Sequence, residues 1–182
     1  AGFFVLKTGM RPAPEPLFSA HRGAGARSEI TPQFLQSLGV RALLLDVDNT
    51  LATYTSHAPS PGALEWVKAM GEAGFRMIII SNNFKGRVGS FGAVFGLDTL
   101  SFALKPLPVG YLRAAKRLRV KPQECVIIGD QIFTDIVGAN LCGMKSVLLS
   151  PIEPEEGFTF KVRRHFERGL REKFSSRKEV LK

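Results

Sequence analysis

The stretch Val40-Arg41-Ala42-Leu43-Leu44-Leu45-Asp46-Val47-Asp48-Asn49-Thr50 decides how the rest of the chain is read. Its first half is almost wholly apolar, as in a parallel strand buried on both faces. Its second half puts two carboxylates, an amide and a hydroxyl directly after that strand. Outward from residues 40–45, further apolar runs at 75–80, 99–103, 125–128 and 146–149 read as strands. Helical stretches fall between them at 62–73, opened by Pro61, at 85–95, at 109–118, and at 134–141, ended near Gly143. Strand–helix–strand repetition at this spacing predicts an α/β fold: a doubly wound, Rossmann-like parallel sheet of about five strands, with helices on both faces and right-handed crossovers. Such sheets bind ligands at the carboxyl ends of their strands.

Polar residues cluster where that rule expects them. The second strand ends in Ser81-Asn82-Asn83, the third is followed by Lys105-Pro106, and the fourth ends in Gly129-Asp130, with Asp135 five residues on. Asp46 and Asp48 at one strand end place two like charges together, which is costly unless a cation is bound or a proton is shared. With Asp130 and Asp135 converging from a neighbouring strand, the set forms a hard-oxygen cage suited to Mg²⁺. Lys105 is the only positive side chain that the spacing brings near. The Ser81 hydroxyl, the Asn82 backbone N–H and Lys105 supply donors for an anion beside the cation. A carboxylate, a divalent cation and anion donors together read as phosphoryl transfer. Plainer roles exist for the same residues: Ser81-Asn82-Asn83 as a helix cap, Asp135 as the cap of the helix it opens, and Lys105 as a solvated loop charge. His57, in the loop after the first motif, reads as a surface residue.

The chain has 182 residues, enough for one domain with a real core. No apolar run approaches the roughly 20 residues that span a bilayer. The net charge of +9 is unevenly spread. Residues 46–160 balance at eleven basic against eleven acidic, whereas residues 161–182 hold nine basic and three acidic. Phe158, Val162, Phe166, Leu170 and Phe174 recur every four residues among Lys and Arg, the pattern of a helix lying in an anionic membrane interface. Three regions result: an N-terminal basic and apolar arm with a lead-in helix at 1–38, the core at 39–152, and a basic amphipathic helix at 153–182. The apolar segment Phe3-Phe4-Val5-Leu6 is too short for a secretory signal. Cys125 and Cys142, with no CxxC partner, read as buried reduced thiols.

These motifs resemble the haloacid dehalogenase superfamily of aspartate-nucleophile phosphatases. The closer resemblance is to the YqeG family, a capless branch that includes the yeast mitochondrial phosphatidylglycerophosphate phosphatase. It runs from Ile30-Thr31-Pro32 through Leu44-Leu45-Asp46-Val47-Asp48-Asn49-Thr50-Leu51, Ser81-Asn82-Asn83, Lys105-Pro106, Gly129-Asp130-Gln131 and Thr134-Asp135 to Gly138-Ala139-Asn140 and Glu156-Gly157-Phe158. The resemblance implies that Asp46 is the nucleophile and Asp48 the general acid and base. It implies Mg²⁺ held by the Asp46 and Asp130 carboxylates and the Asp48 carbonyl, with Asp135 supporting that shell through water. Ser81, Asn82 and Lys105 would bind the phosphoryl group, Asn49 would offer its backbone N–H to it, and Thr50 would orient Asp46 or the turn.

The 33 residues from Asp48 to Ser81 and the 24 from Ser81 to Lys105 leave no room for a cap domain. An uncapped site favours a large or surface-borne substrate. The family and the basic tail together predict a phosphatidylglycerophosphate phosphatase of phosphatidylglycerol synthesis. It would sit peripherally on an anionic phospholipid membrane, in the cytoplasm, or in the mitochondrial matrix or plastid of a eukaryote. The alternatives are a phosphatase of protein or polynucleotide phosphates and a non-catalytic assembly module. Nucleic acid is the lesser partner, since the chain has two Tyr and one Trp and no RNA-binding signature.

Overall fold

Leu43 and Leu45 join one apolar core, while Ala42 and Leu44 join another. That is the two-residue period of a strand buried on both sides. In the computed structural model, the described residues are Val5–Leu6 and 27–152. The chain divides into two units, Ala1–Ile152 and Glu153–Lys182, and only the first holds described residues. The amphipathic stripe of residues 158–174, its basic flanks and the arm at 7–26 lie outside them.

Strand β1 (Val5–Leu6) is followed by β2 (Ala42–Leu45), β3 (Arg76–Ile80), β4 (Asp98–Leu100), β5 (Cys125–Gly129) and β6 (Lys145–Leu148). They form one sheet in the order β1-β6-β5-β2-β3-β4. β2 to β6 are all parallel, and β1 adds an antiparallel edge against β6. The expected five-stranded parallel sheet is present. β1 was not among the expected strands, because two residues are too few to show a period.

Helices α1 (Pro32–Ser37), α2 (Ala63–Glu72) and α3 (Lys85–Phe95) cover one face, filling it with Leu35, Trp66, Met70, Val88 and Phe91. α4 (Pro108–Leu118) and α5 (Val137–Leu141) cover the other, where Ala114, Ala115 and Ala139 allow close approach around Tyr111. A Cβ on Gly138 would lie 2.5 Å from the Tyr111 ring, so α5 packs on α4 only because that position is glycine.

Two elements differ from the sequence reading. The strand expected at 99–103 stops at Leu100, because Phe102 and Leu104 take left-handed backbone angles (φ 48° and 56°) that no strand continues through. The helix expected at 134–141 begins earlier, as a wide turn at Ile132–Ile136 that runs into α5. The N–H groups of Asp135 and Ile136 both point to the Gln131 carbonyl, so the turn holds one residue more than an α-helix.

From β2 the chain builds outward through β3 and β4, then returns to the other side of β2 with β5 and β6. The order reverses between β2 and β5, so the crevice forms where Asp46 and Asp130 leave the sheet. Among the described residues no cap domain is present: one helix joins β2 to β3, and one joins β3 to β4. Among them too, no helix is long and apolar enough to cross a membrane.

Candidate active site

Asp46 follows β2 directly, and its N–H still bonds to the Ile128 carbonyl of β5 at 3.0 Å. The next four residues turn sharply. The Val47 carbonyl accepts N–H bonds from Thr50, Leu51 and Ala52, and Asn49 takes a left-handed φ of 56°, which asparagine tolerates better than most residues. Arg27 donates to the Thr50 carbonyl and, at 3.0 Å, to that of Pro61, tying the turn to the start of α2. Asn49 and Thr50 are buried beneath this turn. Of the two roles expected of Thr50, orienting Asp46 or the turn, its backbone serves the turn, while its hydroxyl has no hydrogen-bond partner among the described residues.

Carboxylate oxygens of Asp46, Asp130 and Asp135 lie within 4.8 Å of one another, and all three residues are buried. Lys105 Nζ stands among them, 2.6 Å from Asp46 Oδ1 and 2.7 Å from Asp135 Oδ1. Three buried carboxylates against one ammonium leave a net negative cluster. Burial accordingly pushes the Asp46 carboxyl up to about 7; Lys105 opposes that rise, and the charges of Asp135 and Asp48 add to it. Burial also works against the Lys105 ammonium, but Asp135 and Asp46 more than offset it and hold the group above its ordinary value. A buried, oxygen-only donor set with unneutralised charge fits a hard divalent cation.

The second oxygen of Asp135 accepts the Gln131 N–H at 3.2 Å, so Asp135 both fastens its own turn and joins the cluster directly. Its carboxylate lies against Gly129: a Cβ there would sit 2.2 Å from Asp135 Oδ2. The glycine of Gly129-Asp130 is thus a space requirement. Tyr111 donates its hydroxyl to the Thr134 carbonyl and supports the same turn from α4.

Ser81 closes β3. Its hydroxyl accepts the Asn83 N–H at 3.1 Å, leaving its own proton to donate. The exposed Asn82 turns its side chain onto the Lys105 backbone, donating to the carbonyl at 2.8 Å and accepting the N–H at 2.7 Å. That double bond ties the Lys105 loop to the end of β3. With two of its three N–H groups on carboxylates, Lys105 keeps one for a ligand.

Asp48 faces a different neighbourhood. Arg87 holds its Oδ1 through Nη2 at 2.8 Å and Nε at 3.2 Å, and Asn83 donates to Oδ2 at 3.2 Å. Lys105 is therefore not the only cation near the carboxylates. Arg87 also donates to the carbonyls of Ser56 and Thr53, and so fixes the loop that carries the exposed His57.

The model of the haloacid dehalogenase-like hydrolases matches residues 9–143 of the chain. The chain belongs to this hydrolase family. It is 34% identical over 141 residues to the probable phosphatase YqeG of Bacillus subtilis, covering 78% of this chain and 82% of that protein. Among solved structures, an uncharacterized protein from Listeria monocytogenes superposes with a TM-score of 0.53 at 18% identity, over 65% of this chain and 86% of that one. NagD from E. coli K-12 gives the same TM-score at 14% identity, over 63% and 90%. At such identities the two structures speak for the fold alone.

Within this hydrolase, two supporting residues escaped the sequence reading of the site, Arg87 and Tyr111, and Asn83, quoted there in the Ser81-Asn82-Asn83 motif, was given no part in holding Asp48. Arg87 did leave a trace. Two cations, Lys85 and Arg87, stand in the first turn of α3 with no acid beside them, against the helix dipole. A basic residue there needs a partner elsewhere, and Arg87 finds it 39 residues back in sequence.

Proposed function

We propose that this hydrolase cleaves phosphomonoesters through an aspartyl-phosphate on Asp46. The observation that carries the reading is the buried cluster of Asp46, Asp130 and Asp135 around Lys105 at the switch point of the sheet. The similarity to a probable phosphatase over most of both chains supports it.

A carboxylate oxygen of Asp46 attacks phosphorus, and the bond to the ester oxygen breaks. The leaving oxygen takes a proton from Asp48, held at the mouth by Arg87 and Asn83. A water then attacks phosphorus, gives its proton to Asp48, and returns Asp46 and inorganic phosphate. The free N–H of Lys105 and the Ser81 hydroxyl bind the phosphoryl oxygens, with the backbone N–H groups of Asn82 and Asn49. The Asp46 and Asp130 carboxylates and the Asp48 carbonyl would hold Mg²⁺, and Asp135 would support them. When bound, the ion neutralises charge that builds on the phosphoryl oxygens.

The substrate we favour is the phosphate of phosphatidylglycerophosphate. Supporting it are the resemblance to the capless branch, the lack of a cap among the described residues, and the basic stripe at 158–174 as a membrane contact. A peripheral site on an anionic phospholipid membrane follows from the same reading. The test is phosphate release with Mg²⁺ from lipid, nucleotide and phosphopeptide substrates side by side. Fastest turnover of the lipid supports the assignment. Fastest turnover of a phosphopeptide or polynucleotide end overturns the substrate, and no release from any phosphomonoester overturns the phosphatase itself.

A further inference from the structure

The mouth of the site is rimmed by large apolar side chains in water. Phe84 is 72% exposed, Leu104 58%, Leu107 56% and Phe102 52%, with Phe133 partly exposed across the crevice. Four of them lie within two residues of a group in the site. Phe84 follows Asn83, Leu104 and Leu107 flank Lys105, and Phe133 precedes Asp135 by two positions. Phe102 meets Phe84 edge to face, with ring centroids 5.5 Å apart, and its N–H bonds to the Asn83 carbonyl at 3.3 Å.

Two further observations separate this rim from ordinary scattered surface apolar residues. Phe102 and Leu104 are bulky residues held at left-handed φ, a conformation that bulky side chains adopt at a cost in free energy. Folding gains nothing from straining the backbone to set two large apolar groups in water. The segments 83–87, 102–109 and 131–134, which carry the rim, contain no acid; of their cations, Arg87 and Lys105 are bound inside the site to Asp48, Asp46 and Asp135, and Lys85 stands exposed. An apolar rim with an exposed lysine and no acid among its segments complements a surface that is anionic outside and apolar within.

We propose that this rim is a lipid-docking surface. Phe84, Phe102, Leu104 and Leu107 enter the headgroup layer of an anionic membrane, and the crevice opens directly onto it. Docking itself stands on the rim; that the docked surface presents the substrate rests on the lipid-phosphatase reading above. The surface is built from residues far in sequence from the basic tail, and it acts at the site.

The test places a reporter on the rim of the full chain. Phe84→Trp is mixed, with Mg²⁺ present, with vesicles of equal parts phosphatidylglycerol and phosphatidylcholine brominated in its acyl chains. The native Trp66 is buried and stays insensitive to the vesicles. Docking predicts a blue shift and bromine quenching of the new tryptophan. It also predicts that Phe84→Ser with Phe102→Asn lowers turnover of the vesicle-borne lipid phosphate by about tenfold or more, with turnover of a small aryl phosphate unchanged. An unshifted, unquenched tryptophan overturns docking, whether or not the protein sediments with the vesicles. So does a dimer that the double variant breaks in the absence of lipid, since the rim would then meet a second copy. Quenching without lipid turnover leaves docking standing and overturns the substrate alone.

Discussion

Asp46 and Asp48 are two residues apart on one strand end, yet their surroundings share little. Asp46 shares Lys105 with Asp135 in a buried, net negative cluster, and burial pushes its carboxyl up to about 7. Asp48 faces the loop side, where Arg87 grips one oxygen and Asn83 donates to the other. Residues two apart in a strand share a face, so the sharp turn on the Val47 carbonyl, and not the strand period, parts the two side chains, and the neighbours then differentiate them. One carboxylate is left needing a cation, as a nucleophile in a metal cluster does. The other is aimed and held by its neighbours, as a group that gives a proton to a leaving oxygen and takes one from water must be.

The comparison breaks most severely at Asp46. Asp46→Asn is expected to lower phosphate release by roughly 10⁴-fold or more while the protein stays folded, because the amide keeps the shape and removes the nucleophile. Thermal melts run beside the assay check the second half. Lys105→Met tests the charge balance of the same cluster. It removes the ammonium that Asp46 and Asp135 share, so stability falls by about 3 kcal/mol or more, and added Mg²⁺ recovers part of that loss in melting experiments. On the Asp48 side, Arg87→Ala frees the carboxylate and the carbonyls of Thr53 and Ser56. We expect kcat to drop roughly 100-fold and stability to fall by about 1–3 kcal/mol, since the buried Asp48 carboxylate loses its cation. Arg87→Lys recovers only part of it, since an ammonium cannot reproduce the two-pronged contact. The smallest effect is expected at Asn82, which touches neither aspartate. Asn82→Ala loosens the Lys105 loop, removes about 1 kcal/mol of stability and slows turnover less than Arg87→Ala does.

The same contrast explains what could be read from the sequence. The residues after each apolar strand were legible because a parallel sheet sets strand ends side by side. The structure does bring Asp46, Lys105, Asp130 and Asp135 together, with Asp48 and Ser81 at the same edge. Contacts made by long side chains across the sequence were not legible. Arg87 reaches back 39 residues to Asp48, and Tyr111 reaches forward from α4 to the Thr134 carbonyl; neither distance is encoded in a local period. Residues 99–103 misled for another reason. Their apolar run reads as strand, but Phe102 and Leu104 turn left-handed to carry the rim of the site, a departure that serves the mouth and not the core. Asp135 was expected to support a metal shell through water; its carboxylate lies within 4.8 Å of those of Asp46 and Asp130 and binds Lys105 at 2.7 Å.

The central claim is that Asp46 itself becomes phosphorylated. Wild-type protein is mixed with Mg²⁺ and a rapidly turned-over phosphomonoester, quenched in acid during steady turnover, and examined by mass spectrometry. The account predicts a phosphoryl group on the peptide that carries Asp46, absent from Asp46→Asn and lost at alkaline pH. Steady turnover with Asp46 never phosphorylated, or a fully active Asp46→Asn protein, would contradict it.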